Sequence, residues 1–76
     1  MAPLPDGHYD AVISSVTQEN DGNLVLELTV TSGDHQGQSL VARSSHQRFG
    51  KEPSELEGLP VDVTLRYGVP DVTLAG

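Results

Sequence analysis

Two stretches of the chain alternate cleanly between apolar and polar positions, and both predict strands. In residues 24–31, Leu24, Leu26, Leu28 and Val30 fall on one side, with Val25, Glu27, Thr29 and Thr31 on the other. A period of two is that of a pleated strand with one buried face. In residues 61–67, Val61, Val63, Leu65 and Tyr67 stand against Asp62, Thr64 and Arg66. Residues 8–18 (HYDAVISSVTQ) are rich in β-formers and lie between Pro5-Asp6-Gly7 and Asn20-Asp21-Gly22-Asn23. Asp21-Gly22 is a hairpin signal, because glycine takes a positive φ at little steric cost. The segment from Gly33 to Gly37 predicts a turn with a glycine at each end, followed by a weaker strand over 38–43. A turn over 68–70 then leads into a short last strand with Val72 and Leu74 inward.

Between the third and fourth strands the period is lost. Glu52-Pro53-Ser54-Glu55-Leu56-Glu57-Gly58 predicts a short helical turn. Pro53 suits an early helical position, the acids favour the positive end of the helix dipole, and Gly58 stops the turn. Five strands with one short helix after the third is the order of the OB-fold, a small Greek-key barrel. An SH3-like barrel is the alternative of similar size, but its helical turn usually precedes the last strand. The expected architecture is therefore all-β: a single five-stranded OB-like barrel domain spanning residues 1–76.

Composition narrows the picture without changing it. The chain has 76 residues, 36% of them hydrophobic and none of them cysteine. It therefore has no disulfide and no thiolate zinc site. A core this small leaves a thin stability margin, which a closed sheet or an oligomer would widen. No stretch approaches the length of a membrane span. Met1-Ala2-Pro3-Leu4-Pro5 lacks the basic and apolar parts of a signal peptide, so a cytosolic setting is expected.

Eleven acids against four bases give a net charge of −7. That is a poor start for holding a polyanion or an anionic membrane. The distribution is uneven, however: residues 1–42 contain no Lys or Arg, while Arg43, Arg48 and Lys51 fall together and Arg66 stands apart.

Three stretches resemble a family of small phage and prophage proteins of OB-like character. Pro5-Asp6-Gly7-His8-Tyr9-Asp10-Ala11-Val12-Ile13 is similar to that family's opening. Leu26-Glu27-Leu28-Thr29-Val30, followed by Gly33 and Gly37, is similar to its central hairpin. Leu56-Glu57-Gly58-Leu59-Pro60-Val61-Asp62-Val63 is similar to its entry to the fourth strand. The resemblance implies phage origin, a host-cell cytosolic location and a role on single-stranded DNA. Members tend to carry aromatics just past the second glycine, where this chain has Ser39-Leu40-Val41-Ala42-Arg43 and no ring.

Single-stranded nucleic acid needs cations for its phosphates and rings or guanidinium planes for its bases. Arg43, His46, Arg48, Phe49 and Lys51 supply both within nine residues, with Arg66 as a further cation. The opposing reading is an ordinary solvated loop. Asp10, Glu19, Asp21, Glu27 and Asp34 are the candidates for presenting an acidic surface to a protein partner, against a plain role in solubility.

His8 and Asp10 place two possible ligands on one strand face, but two ligands do not make a site, and His35 and His46 lie in separate loops with no paired spacing. No metal and no cofactor are expected. Ser, His and Asp occur, but without a Gly-x-Ser-x-Gly elbow. Gly50-Lys51 is followed by Glu52 and preceded by no glycine at position 45, which excludes a P-loop. The expectation is a non-enzymatic OB-like module that binds single-stranded DNA weakly. The alternative is a protein-interaction module, such as a phage inhibitor or assembly factor, using an acidic surface or a strand edge. A weak homodimer is also expected, from apolar residues on both faces of the first strand (Ala11 and Ile13 against Val12 and Val16) and from outward Val25 and Val41.

Overall fold

A computed structural model describes residues 4–45, 50 and 52–75 of the chain. The elements in order are β1 (Gly7–Gln18), β2 (Asn23–Val30), β3 (Ser39–Ser45), the single-turn helix α1 (Pro53–Leu56), β4 (Pro60–Arg66) and β5 (Val69–Leu74). The strands form one antiparallel sheet in the order β3-β2-β1-β4-β5, curled into a half-barrel. The helix lies between the third and fourth strands, as the OB-like reading predicts. Successive antiparallel pairings leave β3 and β5 running in the same direction on either side of the seam, and no ladder joins them among the described residues.

β1 is the spine. It pairs with β4 through residues 7–12 and with β2 through residues 11–18. The register slips between Ile13 and Ser15, so Ser14 is the extra residue of a β-bulge. Before the bulge, Ala11 and Ile13 point into the core; after it, Val16 lies opposite Leu26 and shares the core face. This corrects the expectation of a first strand with apolar residues on both faces. Val16 packs inward, and only Val12 remains on the outside.

At the bulge the Ile13 amide donates to the Leu59 carbonyl (3.0 Å), and the Ile13 carbonyl accepts from the Gly58 amide (2.7 Å). These bonds seat the end of α1 on β1, and Leu56 fills the barrel end with no exposed surface. The start of the helix is set locally. Glu52 and Glu55 form a reciprocal capping box, and Pro53 occupies the first turn.

The inward residues of β2 and β4 match the alternation in the sequence: Leu24, Leu26, Leu28, Val30, Val61, Val63 and Leu65 are all buried, and Glu27 is exposed. Tyr67 departs from it. Its φ is +54°, it forms a two-residue turn with Gly68 (φ +75°), and it is 96% exposed. Positive φ at both central residues gives the twist that a tight hairpin requires, which moves the turn from the predicted 68–70 to 67–68. Val72 is buried and Leu74 half-buried, as predicted.

Candidate functional site

Of the nucleic-acid residues proposed from sequence, Arg43 and Arg66 can be placed. His46, Arg48, Phe49 and Lys51 lie outside the described residues. Arg43 stands on the outer face of β3, opposite Val25, with its guanidinium 3.6 Å from the Glu19 carboxylate of the β1–β2 turn. Arg66 ends β4 opposite Val69, next to the turn that packs near the start of β1. The two cations therefore sit at opposite ends of the sheet and do not converge.

The five acidic residues are also spread. Glu19 and Asp21 belong to the β1–β2 turn, where Asp21 is structural: its carboxylate accepts from the Asn23 amide (3.1 Å) and the Asn23 side chain (3.2 Å). Glu27 projects from the middle of β2, between Ser15 and Val41. Asp10 and Asp34 lie at the far end, beside a groove of about 350 Å³ lined by His8, Tyr9, Asp10, Ser32, Gly33, Asp34 and His35. The Tyr9 hydroxyl donates to the Pro5 carbonyl, and its ring meets His35 edge-on at 5.8 Å between centroids.

The strand edge named as an alternative from the sequence can now be assigned to a particular strand. The Val30 amide donates to the Gln38 carbonyl (2.8 Å), so alternate residues 38, 40, 42 and 44 face β2. Ser39, Val41 and Arg43 consequently turn their amides and carbonyls away from the sheet. Val41 is also 60% exposed, and the inward Leu40 beside it is only half-buried.

The opposite edge is different. The Ala75 amide bonds the Pro60 carbonyl (3.1 Å), which sets residues 70, 72 and 74 outward on β5. Pro70 has no N–H to offer, and Val72 is already partnered. Among the described residues, β3 therefore offers an unbroken row of outward amides, whereas the row on β5 is interrupted at Pro70. The clue in the sequence was the pair of glycines at 33 and 37, which make 39–45 the last strand of a meander. It could not be used without knowing which strands end the sheet.

A third group joins His8 and Asp10. Asp62 lies directly across from Asp10 on β4, and one ligand atom each from His8, Asp10 and Asp62 lie within 4.8 Å of one another.

The chain matches no protein-family model, no curated protein and no solved structure. Among the described residues, no helix is long and apolar enough to cross a membrane.

Proposed function

We propose that the protein is a non-enzymatic OB-like module that engages a protein partner by accepting an extended segment along β3. The observation that carries this reading is the row of outward backbone groups at Ser39, Val41 and Arg43, flanked by exposed Val41. An added strand would gain main-chain hydrogen bonds for affinity, with side-chain pockets on alternate positions for specificity. Its inward side chains would cover Leu40, and its outward ones would lie against Val41. The net charge of −7, with Glu27 opposite Val41, favours a neutral or basic segment. The resemblance to phage proteins makes an inhibitor or assembly factor in the host cytosol the corresponding biological role.

The test is selection of binding peptides from a random library, followed by mapping on the backbone amide spectrum. Shifts should concentrate on residues 39–44, and Val41→Pro should abolish binding, because position 41 contributes an outward amide but no ladder bond. Peptides that bind elsewhere, or bind Val41→Pro equally well, would sink the reading.

The second reading is weak single-stranded DNA binding. Arg43, with its side chain 72% exposed, stands on the outer β2–β3 face that takes oligomers in OB-folds. In sequence it leads directly to His46, Arg48, Phe49 and Lys51. Titration with labelled oligo-dT at two salt concentrations tests it.

A further inference from the structure

We infer that His8, Asp10 and Asp62 form a weak, exchangeable binding site for a divalent transition-metal ion of the zinc class. The bonds of Ile13 to residues 58 and 59 set the odd residues of β1 toward β4, so Asp10 and Asp62 form a non-hydrogen-bonded pair. This is the kind of cross-strand pair in which side chains approach most closely. Two carboxylates placed there repel each other unless a cation lies between them.

His8 sits two residues along the same face. Its Nε2 is 3.7 Å from Asp62 Oδ1, too far for a hydrogen bond. Two ligand atoms at about 2.0–2.1 Å from a tetrahedral zinc stand roughly 3.3 Å apart. Drawing the three groups from within 4.8 Å to that spacing asks for small rotations of exposed side chains and no backbone movement. Asp10 is already oriented, because Ser32 Oγ donates to its Oδ2 at 3.1 Å. That is the kind of outer-shell bond that holds a metal-ligating carboxylate in place.

The donor set selects the ion. One imidazole with two carboxylates suits zinc and its neighbours, whereas magnesium and calcium prefer oxygen alone. Three protein ligands leave at least one position open, and the groove along His8, Asp10 and Ser32 gives it access from solvent. The side chains of His8 and Asp62 are 58% and 42% exposed, so the site competes with water and exchanges its ion readily.

Calorimetric titration of the intact chain with zinc chloride, paired with nitrogen NMR of the histidine rings, tests the site. One ion per chain is expected, with the shift confined to His8 Nε2. His8→Gln and Asp62→Asn should each weaken binding by about tenfold or more, and Ser32→Ala by about tenfold. His35→Gln and His46→Gln should bind as the wild type does. All three site side chains are at least partly exposed, so each variant should retain the wild-type amide spectrum elsewhere. The inference fails if zinc binding is undetectable, if it survives His8→Gln, or if magnesium displaces zinc at equal concentration.

Discussion

The Asp6 carboxylate accepts a hydrogen bond from the backbone amide of Tyr67 at 2.8 Å, across 61 residues of sequence, and a second from Gly68 at 3.1 Å. It thereby holds the β4–β5 turn against the start of β1. Bonds from backbone donors to an ionised carboxylate are stronger than neutral ones, even near the surface. Asp6→Ala should cost about 1–2 kcal/mol in urea unfolding. Asp6→Asn should recover part of that, and an unchanged midpoint for Asp6→Ala would show that the turn holds itself.

The same turn stores strain. Tyr67 adopts a left-handed conformation that an L-residue with a bulky side chain rarely takes. Tyr67→Asn relieves it and matches the Asn-Gly preference of this turn, so stability should rise by about 1 kcal/mol. A drop in melting temperature would mean that the ring makes contacts its 96% exposure does not suggest.

Leu26 is fully buried at the centre of β2, opposite both Val16 and Ala42. Leu26→Ala should cost ~2–5 kcal/mol. A 76-residue domain has a total of roughly 4–11 kcal/mol, so the variant should be largely unfolded or close to it. Retention of a cooperative melt at the wild-type temperature would contradict the core described above.

Much of this architecture was legible because its determinants are local. The period of two in β2 and β4, Asp21-Gly22 and the Pro53-to-Gly58 turn each act within a few residues, and each appears where the pattern puts it. The departures come from features without a local signature. Ser14 and Ser15 are equally polar, so nothing in their hydropathy marks which of them is extra, yet the bulge decides the face of Val16. Tyr67 continues an apolar alternation by type, and only the two-residue hairpin places it outside. Asp62 became a neighbour of Asp10 through a pairing of strands distant in sequence, which is why His8 and Asp10 alone did not make a site. The basic segment was legible as chemistry, but most of it lies outside the described residues.

Self-association should be weak and should use β3. Val16 no longer supports a second apolar face on β1, which leaves the β3 edge with Val41 as the surface for a second copy. A charge of −7 per chain opposes pairing at low ionic strength, so added salt should favour the dimer. Sedimentation equilibrium from micromolar to millimolar protein should show a mass rising above 8.1 kDa in high salt, and Val41→Pro should remove that rise. A constant monomer mass throughout means that β3 does not pair with itself.

Binding of oligo-dT, where measured, should show a salt slope no steeper than about −3, because four Lys and Arg residues are the most that can meet phosphates. A stacking role for Phe49 predicts a loss of ~1–3 kcal/mol in Phe49→Ala. Equal affinity in wild type and variant removes the ring from the interface.

Pro70 has a consequence for what the protein cannot become. Fibrillar growth through strand addition needs two receptive edges on every unit, one to accept and one to be accepted. Here the β5 edge lacks a donor at Pro70 and Val72 already has a partner, while among the described residues β3 presents an uninterrupted row of outward amides. A unit of that kind can join one further strand and then stops. Pairing of β3 with a second copy's β3 therefore ends at a pair, because each copy spends the same edge on the other.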